Sequence, residues 1–235
     1  MYYPYGMYFD WTYILVIIGL VLSLGASALV NSTFKKYSRV RSSTGVSGQQ
    51  AAERILRSEG LNDVAVNHIG GNLTDNYNPS QKTVNLSDAT YASSSVASIG
   101  VAAHECGHAM QHASGYFPLT LRSAILPVAN FGSMLGIPIC IIGLIMGQMG
   151  DTVIKVGILL FSFAVLFQLV TLPVEFNASR RALAKLKADG ILYPEELNQT
   201  RKVLTAAALT YVAAAAASIL QLIRLWLIFG NRRSD

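Results

Sequence analysis

Four stretches without a single charge set the hydropathy pattern of this chain: Trp11–Phe34, Ser123–Met149, Val156–Val174 and Val203–Ile223. A helix needs roughly 20 mostly apolar residues to cross a bilayer, so the runs predict membrane helices at about 11–34, 123–149, 153–174 and 203–229. Pro127 and Pro138 interrupt the second run. Membrane helices tolerate this where neighbours satisfy the freed backbone groups. As buried helices of a soluble domain, these runs would leave too little polar surface. The first run reads as a retained anchor. The head before it, MYYPYGMYFDW, is aromatic and acidic, not basic, and no small-x-small cleavage site follows.

Between the runs the periodicity changes. SGQQAAERILRSEG carries apolar residues at helical spacing and stops at Gly60, which predicts a short amphipathic helix. VAVNHI, LTDNY and KTVNLS are rich in Val, Thr and Tyr and are separated by the turn signals GG and NPSQ. They predict a three-stranded sheet across Val64–Ser87, with KTVNLS as the candidate edge for an extended substrate. Asp88 is the expected N-cap of a helix from Ala89 to about Ala113. The expected fold is a mainly α integral membrane protein: four transmembrane helices with a small α+β cytoplasmic portion. It forms one domain over 1–235, with the cytoplasmic portion at 35–120 and 175–202.

Composition strengthens the membrane reading. Of 235 residues, 52% are hydrophobic and 13% charged, about half the charged share of soluble domains. The net charge of +5 is unevenly placed: residues 31–122 carry eight Lys/Arg and 174–202 carry six, fourteen of the eighteen. The tight loop GQMGD carries none. This asymmetry predicts that both basic segments are cytoplasmic and both termini outside, although Arg232 and Arg233 in the terminal NRRSD run against it. It argues for a bilayer partner and against nucleic acid. Cys106 and Cys140 fall in the candidate catalytic helix and a membrane run, so no disulfide framework is expected.

The chemistry concentrates in VAAHECGHAMQHASG, residues 101–115, which holds three of the four histidines. His104 and His108 stand one helical turn apart on the same face. Two imidazoles so placed can share a zinc ion at about 2.0–2.1 Å each. Glu105 is one residue round, beside the metal and not on it, where it can take a proton from zinc-bound water and deliver it to the leaving amine. His112 continues the series, but a helix rises about 6 Å over four residues, which takes it out of reach of a shared ion. It is expected to be a supporting or surface residue. Cys106 should face away as packing, and Gly107 should let another backbone approach.

A catalytic zinc needs a third protein ligand and one open position. Glu175 in LPVEFNASRRA is the best candidate, at the end of the third apolar run. The second and third runs form a hairpin whose outer ends meet at one membrane face, which joins the histidine helix to Glu175. Asp88, Asp75, Glu195 and Glu196 are the alternatives, and His68 and Tyr211 are candidate oxyanion donors. A structural zinc site in a non-catalytic membrane adaptor is the competing reading, and a fourth ligand such as His68 or His112 would favour it.

SVASIGVAAHECGHAMQH, LPVEFNASRRA and AAALTYVAAA resemble the YugP-type neutral zinc membrane metallopeptidases of bacteria, over most of the chain. That family is similar in plan to the HtpX-like and prenyl-protein endopeptidases, which carry HExxH on one helix and a glutamate ligand on another. The resemblance implies a gluzincin-like centre with zinc on His104, His108 and Glu175 and Glu105 as general base. It also implies a bacterial inner-membrane protein, with its active site facing the cytoplasm and acting on membrane-associated proteins or peptides. A regulatory partner is not specified by the residues. The HtpX-like pattern has aspartate four residues after the glutamate, and here that place is Ser179.

Overall fold

The computed structural model describes residues 10–229. Most of MYYPYGMYFDW and all of NRRSD lie outside the described residues. The order of elements is α1 (Tyr13–Tyr37), α2 (Gly48–Ser58), β1 (Ala65–Ile69), β2 (Asn76–Asn78), β3 (Thr83–Ser87), α3 (Val96–Ala113), α4 (Phe117–Ile145), α5 (Asp151–Ala188) and α6 (Pro194–Phe229). The protein is mainly helical with one small sheet. Among the described residues α1, α4, α5 and α6 are long and apolar enough to cross a membrane. Leu20, Leu24 and Ile145 are 57%, 60% and 80% exposed, a surface that lipid would cover. Each of these helices includes most of one apolar run, but α5 and α6 also extend through the basic segment 174–202.

Contacts within the chain define two compact units. Among the described residues, one comprises 10–25, Ile125–Leu169 and 213–229. In it α4 and α5 lie backbone to backbone: a Cβ on Gly132 would fall 2.0 Å from the Leu160 carbonyl, and one on Gly157 would fall 2.7 Å from that of Gly136. Small residues permit this close packing in lipid, where association relies on van der Waals contact.

The other unit, Ala26–Ala124 and Val170–Val212, holds the sheet and α3. Its core includes Ile55 and Leu56 of α2, Val84 and Leu86 of β3, Ile99 and Cys106 of α3, and Leu186 of α5. Helix α2 starts where the sequence places it. Ser47 accepts from the Gln50 backbone N–H, and the Gln50 side chain accepts from that of Ser47. This capping box satisfies two otherwise unpaired donors.

Two expectations are corrected. Helix α3 begins at Val96, not Ala89, and its N-cap is Ser95, which accepts from the Ser98 N–H. Residues before it are committed to other pairings: Ser42, Gly48 and Gln49 N–H donate to the carbonyls of Ser94, Ser93 and Tyr91. Asp88 accepts from Gly71 N–H and pairs with His68 at 2.8 Å. The sheet order is β1-β3-β2, with β1 parallel and β2 antiparallel to β3. KTVNLS is therefore central and cannot be the free edge. β1 and β2 are the edges.

At Gly107, α3 meets α5. A Cβ there would fall 2.5 Å from the Ala178 carbonyl oxygen. Gly107→Ala is expected to destabilise the protein by about 1–3 kcal/mol through this overlap, outweighing alanine's helix-propensity gain of about 1 kcal/mol. Thermal unfolding in detergent checks this. Gly25→Ala, which lies inside α1 and meets nothing within 4 Å, should not lower the midpoint.

Candidate metal centre

The α3–α5 contact sets His104 and His108 opposite Glu175. The imidazole Nε2 atoms lie 3.2 and 3.6 Å from Glu175 Oε2, and the rings stand nearly perpendicular, with centroids 4.8 Å apart. Ligand atoms from all three residues lie within 4.8 Å of one another. On a tetrahedral ion with bonds of 2.0–2.1 Å, neighbouring donors are about 3.3 Å apart. The donor set therefore fits a zinc-sized ion, and its chemistry, two imidazoles and one carboxylate, suits that metal.

The outward nitrogens are engaged as well. His104 Nδ1 lies 3.1 Å from the Ser179 hydroxyl, and His108 Nδ1 lies 3.0 Å from Gln111 Oε1. Arg122 Nη1 is 3.8 Å from the second oxygen of Glu175. That carboxylate is only 2% exposed, so the nearby imidazoles and guanidinium offset the cost of burying its charge. Glu105 is also buried. Burial pushes its carboxyl up, against the opposing pull of His104 and His108. For His108, burial acts to lower the pKa, but the hydrogen bond it donates to Glu175 and the charge of Glu105 outweigh it, and the net direction is up.

Glu105 shares a cavity of about 140 Å³ with His104, Glu175, Ser179 and Asp75. Leu73, Val101, Leu204, Ala208 and Tyr211 form its apolar side. The structure thus brings Tyr211 to the site, but not His68 or His112. His68 is half exposed and held by Asp88, and His112 Nδ1 lies 3.0 Å from the Tyr77 hydroxyl. Three of the alternative acids, Asp88, Asp75 and Glu196, are hydrogen-bonded to other groups, Asp75 from within the cavity wall. Asp75 accepts from the Ser87 N–H and hydroxyl, and Glu196 from Ser43 and the Tyr193 N–H.

Sequence reasoning missed Gln111, Asn177 and Arg122. Gln111 carried a usable signal, since it stands three residues after His108 on the same face of the helix. Ser179 fills the aspartate position of the related pattern and still reaches His104, as a neutral hydroxyl.

Paired histidines one turn apart, a glutamate from a second helix and four membrane-length helices are together the features of a membrane metallopeptidase. The chain belongs to the neutral zinc metallopeptidase family: residues 12–230 match the family described as "Putative neutral zinc metallopeptidase". It is 47% identical over 221 residues to a Bacillus subtilis (strain 168) protein named "Putative membrane protease YugP", covering 94% of this chain and 97% of that one. No solved structure matches the chain.

Cys106, between the two histidines in sequence, is fully buried and points to the Ala52 carbonyl, with Sγ 3.7 Å away. Burial pushes its thiol pKa up, which suppresses the thiolate needed for alkylation. Both Cys106 and the buried Cys140 should resist a polar maleimide in the folded protein and react once it is unfolded in detergent at high temperature. Mass spectrometry reads the two additions.

Proposed function

We propose that the protein is an integral-membrane zinc endopeptidase hydrolysing peptide bonds at the cytoplasmic membrane face. The carrying observation is the convergence of His104, His108 and Glu175 beside a cavity that Glu105 also lines. These three residues would hold the zinc, and three protein ligands match the open site of a catalytic centre. When bound, zinc supplies a Lewis acid that polarises a carbonyl and lowers the pKa of water towards about 7.

Glu105 acts as general base. Its carboxylate accepts a proton from the attacking water and later gives it to the leaving amine nitrogen, a role worth roughly 10²–10⁴-fold in rate. Tyr211 offers a hydroxyl in the same cavity for the developing oxyanion. Leu73, Val101, Leu204 and Ala208 make a seat for an apolar substrate side chain. Strand β2 is an edge that follows directly on cavity residues Leu73 and Asp75, which supports backbone pairing with an extended substrate.

The site-bearing unit contains fourteen of the eighteen Lys/Arg, which supports a cytoplasmic side at a bacterial inner membrane. Glu175 directly follows an apolar run, so substrates at or near the bilayer are favoured over freely soluble ones. A structural staple in an adaptor would require a closed set of four ligands. Among the described residues the two spare histidines, His68 and His112, are held elsewhere.

Two outcomes follow for purified protein in detergent. Metal analysis should give about one zinc per chain in the wild type and near none in His104→Ala, His108→Ala or Glu175→Ala, with His112→Ala retaining it. Glu105→Gln should keep its zinc and lose at least about 100-fold in cleavage of casein or a membrane-protein substrate. Cleavage equal to the parent would remove Glu105 from the mechanism.

A further inference from the structure

Gln111 is fully buried, and its amide is engaged at both ends. Nε2 donates to the Val174 carbonyl at 2.7 Å and to Asn177 Oδ1 at 3.0 Å, while Oε1 lies 3.0 Å from His108 Nδ1. Two fixed groups set the polarity of this chain of bonds. The Val174 carbonyl only accepts, so the amide must turn its NH₂ towards α5. Arg181 Nε only donates, and it donates to Asn177 Oδ1 at 2.9 Å, which makes that atom the oxygen and Gln111 its second donor. Only the Gln111 carbonyl oxygen is left to face His108. Nδ1 must then carry the proton, and in the neutral ring the lone pair sits on Nε2, the atom aimed at Glu175.

We propose that Gln111, oriented by Val174, Asn177 and Arg181, is a positioning residue that holds His108 in the tautomer and ring orientation needed for metal ligation through Nε2. Helix α5 then supplies both a ligand, Glu175, and the support for a ligand on α3. This rests on the metal-centre reading above. Metal-binding histidines often lean on a carboxylate, which raises their basicity. Here both outward partners, Gln111 and Ser179, are neutral. An acceptor facing Nδ1, held there by a donor turned towards α5, is therefore the requirement at position 111.

The test is zinc affinity of the full chain in detergent, by competition with a chromogenic chelator, for wild type, Gln111→Leu and Gln111→Glu. Thermal unfolding of the metal-free proteins is measured alongside. Leucine roughly keeps the volume and removes the acceptor, whereas glutamate, protonated on the oxygen that faces the Val174 and Asn177 acceptors, keeps a donor for α5 and an acceptor facing Nδ1. Loss of such a partner weakens metal binding about 10–100-fold, so Gln111→Leu should bind zinc that much more weakly while the metal-free protein still unfolds cooperatively, at a midpoint lowered by the lost hydrogen bonds, and Gln111→Glu should bind within about threefold of the parent. A residue that only filled space would give the opposite order, with leucine near wild type and the buried glutamate weak, and that order overturns the proposal. Where Gln111→Glu does not fold, Gln111→Leu decides: an affinity within about twofold of wild type overturns the proposal. Wild-type protein that took up no zinc would overturn the metal-centre reading itself, and this proposal with it.

Discussion

Everything at the site depends on how closely two backbones approach. Gly107 stands between His104 and His108 in sequence, and the Ala178 carbonyl occupies the space its side chain would fill. Glu175 lies three residues before Ala178 on α5, so the same contact that brings the helices together brings a carboxylate level with two imidazoles. Any larger residue at position 107 would push the helices apart and lengthen Nε2–Oε2 separations that now suit a shared ion. The glycine is therefore a geometric requirement of the site as well as of the packing.

Burial gives that convergence its chemical meaning. Glu105 and Glu175 are both buried, in a chain with few charges to spare. Two carboxylates in such surroundings are unfavourable unless cations or donors face them. Arg122 approaches Glu175 from one side, and the two imidazoles from the other. A divalent ion held by His104, His108 and Glu175 would compensate both acids at once, which fits histidine at positions 104 and 108. The support behind each imidazole is neutral, so negative charge at the centre is confined to the side facing Glu175 and the cavity.

Much of this was legible from spacing. The membrane helices followed from charge-free length, the sheet from short β-branched runs between turn signals, and Glu175 from the argument that a tight hairpin returns to its starting face. Other features depend on contacts that no local pattern encodes. Asp88 has the right chemistry for an N-cap, but His68 and Gly71 claim its carboxylate, and the segment after it pairs with residues 42–49. The next suitable cap, Ser95, opens α3 instead. Strand order was equally hidden. Alternation along KTVNLS identifies a strand, but not whether one or both of its sides are paired, and β3 proves to be paired on both.

His112 and Gln111 differ in what their positions along α3 let them reach. A titratable residue continuing the i, i+4 series attracts attention, yet each further turn moves it about 6 Å along the axis and away from the ion. His112 accordingly meets Tyr77 of β2. Support for a ligand must instead come from a neighbour able to reach the ring's outer nitrogen, and a residue three positions on, with an amide, does so. An amide serves here because it both accepts and donates: one end faces the imidazole and the other is tied to α5. A carboxylate could do the first but, when ionised, not the second; a lysine, the second but not the first. The joint between the histidine helix and the glutamate helix thus selects glutamine on physical grounds, and in the sequence only its spacing from His108 marks it.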